Sequence, residues 1–200
     1  MTGRSLIKKF DRQAKRYDKR RNSDSTRKYR QRIFPEARGK VLEVAVGAGS
    51  NYSFYDDDIE LTGIDFSPEM LKAARAAAND YAFTSSFLEG DVETMQFEEN
   101  SFDTIVSSLS FCAYQDPVAV LNQFRKWCRP AGRILMMEHG LSTNRVLSKM
   151  QRIADSLSLK VVGCHQNRHI TDIVQQSDLV LVKEERYLAG CLYLLWVNPS

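Results

Sequence analysis

This chain has no apolar run near the about 18 residues that a membrane-spanning helix needs, and no apolar segment follows its basic N-terminus as a secretory leader would require. The longest candidate, residues 187–197, contains Gly190 and reads better as a buried strand. Cysteine is scarce: Cys112, Cys128, Cys164 and Cys191 stand apart without a CxxC pair. That argues against a disulfide scaffold and fits a reduced, cytoplasmic setting. No internal repeat or low-complexity linker divides the chain. Acids are almost missing from residues 1–40, where 15 Lys/Arg meet 4 Asp/Glu, whereas residues 41–200 carry 13 and 21. A basic arm is thus joined to an acidic body. The arm calls for an anionic partner: nucleic acid, an anionic membrane surface or an acidic cofactor.

What is present suffices for one domain. Hydrophobic residues make up 43% of 200 positions, enough to bury a full core and to exclude general disorder. From Val41 onward strand and helix patterns alternate. Strands are expected over 40–46, 60–65, 83–89, 103–108 and 133–138, with a terminal antiparallel pair over 179–185 and 188–197. Helices are expected after the Gly-containing turn at 47–51, from Ser67-Pro68-Glu69, from Asp116-Pro117 to about Cys128, over 144–157 and over 171–177. Ser67 and Asp116 are placed as N-caps, each with proline at the first helical position. The pattern predicts an α/β fold: a doubly wound, Rossmann-like sheet, mostly parallel, with helices on both faces.

The strongest local signal is Val41-Leu42-Glu43-Val44-Ala45-Val46-Gly47-Ala48-Gly49-Ser50-Asn51, a strand running into a turn with two glycines. Glycines there let the backbone pass close to a ligand. Asp65 ends the second strand, where an acid accepts from ribose hydroxyls, and Gly90-Asp91-Val92 follows the third, where an acid reaches an adenine amino group. Glu43, Asp65 and Asp91 converge at one crevice. The loop carries no lysine for phosphates. An acidic pocket of this kind suits a cofactor with ribose, adenine and positive charge: S-adenosylmethionine.

These segments, with Thr62–Leu71, Ser101–Val106 and Arg129-Pro130-Ala131-Gly132-Arg133, fall in the order and spacing of a known family. The chain resembles class I SAM-dependent methyltransferases, in the branch of quinone-biosynthesis C-methyltransferases and bacterial phospholipid N-methyltransferases. The resemblance implies a methyltransferase domain over 41–200 with a seven-stranded sheet, and a basic helical arm or lid over 1–40. It implies that Glu43, Gly47 and Gly49, with Ala45 and Asn51 in the same loop, hold the methionine moiety. Asp65 would take the ribose, Phe66 would lie near the adenine, Asp91 with Val92 would hold its edge, and Ser108 would stand beside the sulfonium. Ala45 replaces the loop's usual first glycine, a change compatible with binding if its φ is negative. After the fourth strand the segment 107–114 lacks the Asn/Asp-Pro-Pro-aromatic motif of base and glutamine methyltransferases, which favours an apolar, lipid-like acceptor.

In the arm, Leu6, Ile7, Phe10, Ala14 and Tyr17 recur at helical spacing among cations. The stripe fits an interfacial helix, a lid over the cofactor, or a solvated helix clamping the domain. The family resemblance of residues 10–18 implies a lid with Tyr17 near the cofactor. The arm would repel a cationic cofactor, so its anion is sought in a membrane or a substrate headgroup, which puts the protein in the cytoplasm or at the inner membrane surface. Nucleic acid is disfavoured, since no RNA-binding module accompanies the charge. His139, at the end of the fifth strand, is the candidate general base, or else a histidine bonded to backbone. Cys164-His165…His169 offers a metal reading without a fourth ligand, and no metal is assigned. Cys112 and Cys128 are placed in the core. Residues 137–139 and 163–168 also resemble vertebrate membrane-associated thiol methyltransferases. The expected activity is methyl transfer to a small lipophilic acceptor, a phospholipid amine or quinone precursor. The alternatives are a thiol, a soluble metabolite, RNA, or SAM binding without catalysis.

Overall fold

The computed structural model describes residues 3–21, 23, 25–161 and 163–199, with side chains from residue 6 onward. Five parallel strands come first: β1 (Lys40–Val44), β2 (Glu60–Asp65), β3 (Thr84–Glu89), β4 (Phe102–Ser108) and β5 (Cys128–His139). β6 (Val180–Tyr187) and β7 (Leu192–Asn198) complete a seven-stranded sheet of order β3-β2-β1-β4-β5-β7-β6. β7 runs antiparallel to both its neighbours, β5 and β6. This is the expected Rossmann-like architecture. The chain reverses direction along the sheet between β1 and β4, where a doubly wound sheet opens its crevice.

Helices cover both faces because alternate strand residues point to opposite sides. On one face Val41, Val106 and Leu194 pack against Tyr29 and Ile33 of α2 (Arg27–Ile33) and Leu71 and Ala74 of α3 (Pro68–Ala78). On the other, Leu42, Ile105 and Leu195 meet Leu121 and Phe124 of α4 (Pro117–Trp127) and Ile170 and Val174 of α6 (Ile170–Gln175). Ile33, Phe34 and Ala37 are fully buried, so the second half of the basic segment packs into the sheet's own core. The caps form as expected: Ser67 Oγ accepts from Met70 N, and Asp116 Oδ1 accepts from Ala119 N. Two amphipathic helices remain. α1 (Gly3–Arg20) lies against α3, and α5 (Arg145–Val161) turns an apolar face outward.

Two expectations are corrected. No α-helix follows the glycine turn; a short 3-10 turn, Tyr52–Phe54, replaces it. Asn51 and Tyr55, on either side of that turn, direct their side chains inward to Glu43 instead of continuing a helix. β5 begins at Cys128 rather than 133, pairing with Phe102 before a register shift that accommodates residues 129–132. Gly132 sits there because a Cβ would come 2.8 Å from the Asp103 carbonyl oxygen.

Candidate active site

A cavity of about 680 Å3 opens at the carboxyl ends of the parallel strands and is roofed by Leu6, Ile7, Phe10, Gln13, Arg16 and Tyr17 of α1. That volume is in the range of small-molecule sites. Glu43, the penultimate residue of β1, is 2% exposed. Its carboxylate accepts from Asn51 Nδ2 at 2.8 Å and from the Tyr55 hydroxyl at 2.7 Å. Burial pushes its carboxyl up to about 7, against those two hydrogen bonds, which favour the ion. Asn51 in turn accepts from Arg30 Nη1 through Oδ1, and the same nitrogen donates to Ser108 Oγ at 2.8 Å. A buried chain therefore joins Tyr55, Glu43, Asn51, Arg30 and Ser108 across four segments.

Asp65 closes β2 and fixes the loop. One carboxylate oxygen accepts from Gly47 N and the other from Ser67 N, both at 2.9 Å. Burial raises this acid too, to about 6. It also lines the cavity. Ala45, Gly47 and Gly49 have φ of +49°, +57° and +80°, a left-handed residue at every second position. The negative φ on which an unperturbed Ala45 depends is thus absent, and its methyl group is held in the region L-residues avoid. At Gly47 a Cβ would enter open space, with no atom nearer than 4.0 Å. Gly49 does not line the cavity; the Tyr52 ring sits where its Cβ would be, at 2.3 Å, so this glycine serves the turn. Phe66 stacks edge-on against Phe10 of α1 at 5.3 Å, and Asp11 accepts from Ser67 Oγ at 2.6 Å. Val92 is buried, and Asp91 is exposed at the rim, where its carboxylate accepts from Glu93 N.

The far end is assembled from distant segments. Glu138, fully buried, accepts from Ser107 Oγ, Ser110 N and Phe111 N, which ties the loop after β4 to β5. Burial pushes its carboxyl up to about 7 as well. Beside it His139, Cys112, Cys164 and Tyr17 line the cavity. The Cys112 and Cys164 sulfurs and one His139 ring nitrogen all lie within 4.8 Å of one another. The Cys112 thiol donates to Cys164, which with the adjoining His139 holds Cys164 down to about 5 and drives Cys112 up. Tyr17 is 43% exposed, with its hydroxyl raised by desolvation and by the same two thiols.

All the anticipated site residues except Gly49 therefore line one cavity: Glu43, Ala45, Gly47, Asn51, Asp65, Phe66, Asp91, Val92 and Ser108, with His139 and Tyr17. Cys112 and Cys128 are both buried as expected, at 2% and 1% exposure, and Cys112 also lines the cavity wall. The run Cys164-His165…His169 is not brought together, since His165 pairs with Asp155 and His169 with Asp172, each at 2.9 Å. The arm is not all directed elsewhere either. Arg16, Arg20 and Arg30 line the same cavity as the acids, and Arg30 is only 6% exposed. In sequence Arg30 is indistinguishable from its basic neighbours. Its one local signal is helical spacing with Ile33 and Phe34, which places it on the buried side of α2.

Residues 42–136 match a protein family described as a methyltransferase domain. Those residues carry a methyltransferase domain. The chain is 27% identical to the mitochondrial methyltransferase OMS1 of Saccharomyces cerevisiae over 93% of its own length and 44% of that protein. It therefore spans less than half of that relative. Against a phosphatidylethanolamine N-methyltransferase of Cereibacter sphaeroides it is 26% identical, covering 78% of this chain and 77% of the relative. Among solved structures, an S-adenosylmethionine-dependent methyltransferase from Mesorhizobium loti superposes with a TM-score of 0.66 at 14% identity, over 88% of this chain and 98% of that one. At that identity the likeness is one of fold.

The methyl donor of the domain is S-adenosylmethionine, and the residues present fit it. The loop leaves open space over Gly47, carries buried carboxylates at Glu43 and Asp65 for a cationic ligand, and lacks a phosphate-directed lysine. Arg30 adds a buried guanidinium to the wall of the same cavity.

Proposed function

We propose that this domain methylates a small lipophilic acceptor drawn from an anionic membrane surface, a phospholipid amine first and a quinone precursor second. The observation that carries this is the pairing of the cavity with the face of α5. Val146, Met150, Ile153, Leu157 and Val161 form one stripe on α5 with exposures of 60–73%. Arg145, Lys149, Arg152 and Lys160 flank the stripe. An apolar stripe between cations is what an interfacial helix presents to anionic lipid. α1 adjoins it: Lys9 Nζ donates to the carbonyls of Lys160 and Val161, and the apolar side of α1 roofs the cavity. A lipid engaged by α5 thus lies next to the roof. The lipid-amine methylation named for the bacterial relative agrees with this acceptor.

S-adenosylmethionine supplies an electrophilic methyl group on a sulfonium. In the site we assign, Asp65 orients the ribose, Phe66 and Val92 flank the adenine with Asp91 at its edge, and Arg30 binds the amino-acid carboxylate. Glu43 and Asn51 hold Arg30 and the loop in register. The apolar walls around Leu109 and Tyr114 exclude water from the transfer path. His139 lines the acceptor end, where an amine acceptor loses its proton. Methyl transfer from labelled donor to vesicles containing phosphatidylethanolamine tests the reading, with soluble phosphoethanolamine, a quinol precursor, an alkyl thiol and RNA in parallel. Lipid or quinol labelling supports it; labelling confined to the thiol, the soluble amine or RNA overturns it. Calorimetry with Asp65→Ala is expected to show a loss of donor affinity on the order of 100-fold, because its loop bonds and its ribose contact vanish together.

A further inference from the structure

Cys112, His139 and Cys164 come from three segments: the loop after β4, the last residue of β5, and the loop after α5. Nothing in methyl transfer by proximity needs two thiols and an imidazole in one corner, yet the fold fixes the backbone of all three. Arg168 donates through both terminal nitrogens to the Phe111 and Tyr114 carbonyls, on either side of Cys112. His165 N donates to the Cys112 carbonyl at 2.9 Å, which ties the Cys164 segment directly to the Cys112 loop. Gly140 N bonds to Cys191 O and Leu141 N to Arg168 O, holding the end of β5 against the same segment. Glu138 fixes the Cys112 loop from below. These bonds position the ligand-bearing residues without occupying their side chains.

We infer that Cys112, His139 and Cys164 are the protein ligands of a thiophilic divalent cation, with zinc the metal their donors suit, and that its fourth coordination position opens into the cavity. Zinc takes sulfur at about 2.3 Å and imidazole nitrogen at about 2.0–2.1 Å in a tetrahedron, which sets the ligand atoms roughly 3.5–3.8 Å apart. The three atoms already lie within 4.8 Å of one another, so side-chain adjustment alone closes the shell. Two cysteines and one histidine with a fourth position open is the pattern of reactive zinc; structural zinc is closed by four protein ligands. Because all three residues line the cavity, that open position faces the acceptor. There the cation would hold the acceptor through an atom other than the one methylated, or through a second lone pair of that atom, which leaves a free pair to take the donor's methyl group.

The test is cobalt substitution on the reduced, full-length protein. Cobalt(II) should bind with a stoichiometry of one, give the thiolate charge-transfer band and intense visible bands of a tetrahedral sulfur site, and be displaced by zinc. Cys112→Ser, Cys164→Ser and His139→Ala should each weaken zinc binding by more than the roughly 10–100-fold that loss of a supporting hydrogen bond costs. Cys191→Ser should bind like wild type, and circular dichroism should report all four variants as folded. A readout without variants is thiol alkylation mapped by mass spectrometry, in which zinc should shield the half-buried Cys164 but not Cys191. Absence of the charge-transfer band in the reduced protein, its persistence in either serine variant at the two ligand positions, or equal alkylation with and without zinc overturns the proposal.

Discussion

At one end of the cavity Glu43, Gly47, Asp65 and Asp91 lie within a few residues of the carboxyl end of a parallel strand, and the register of β1, β2 and β3 brings them together. At the other end Tyr17, Cys112, His139 and Cys164 arrive from α1, two loops and β5, held by side-chain bonds from Glu138 and Arg168. The first end inherits its geometry from backbone ladders. The second is assembled by a few buried polar groups. A change in a positioning side chain should therefore disturb the acceptor end far more than the donor end.

Glu138→Ala gives the largest expected effect. It strands Ser110 N and Phe111 N in a fully buried setting, leaves Ser107 Oγ only its Ser110 Oγ partner, and should cost about 3 kcal/mol by urea unfolding. Methylation should fall with it, while donor affinity in the folded fraction changes by less than about threefold, because the strand-end residues stay in register. Equal losses at both ends would break the distinction.

An intermediate effect is expected from pH. Glu43, Asp65 and Glu138 all have carboxyls raised by burial, to about 7, 6 and 7. The folded state therefore holds protons that the unfolded chain releases at its ordinary carboxyl pKa. Stability without cofactor is fully present below that ordinary value and declines as pH rises through about 7, so Tm should be higher at pH 5 than at pH 8. A cationic donor favours the ionised carboxylates at its own end. Donor affinity should rise about tenfold between pH 5.5 and 8, with proton release seen by calorimetry in buffers of different ionisation enthalpy. A flat profile would remove Asp65 from contact with the donor and Glu43 from the support of its site.

The smallest effect belongs to Ala45. Replacing it by glycine relieves an alanine held at φ +49° and should stabilise the protein by about 1 kcal/mol, measured as a shift in the urea midpoint. Donor affinity should stay the same or improve slightly, since the change leaves the loop path intact.

The same contrast explains what could be read from the sequence. The strand-end acids, the capped helices and the sheet class follow from short-range patterns, because a parallel strand delivers its last residues to a common edge. Ala45 escaped that reading since φ is set by the loop path that Asp65 fixes through Gly47 N, not by the residue's identity. Arg30 is buried by the packing of α2 against the sheet, which no charge count reveals. Cys112 and Cys164 are 52 positions apart and meet only through the Arg168 and His165 bonds. The outward face of α5 was equally invisible, because its pattern is that of any helix that buries one side.

The contact between α1 and the turn after β2 has a kinetic meaning. Asp11 latches onto Ser67 and Phe10 leans on Phe66, so the roof is fastened to the segment that carries Asp65. Opening the roof there breaks one hydrogen bond and one ring contact, so passage of the donor carries a cost set at a place distant from the atom that is methylated.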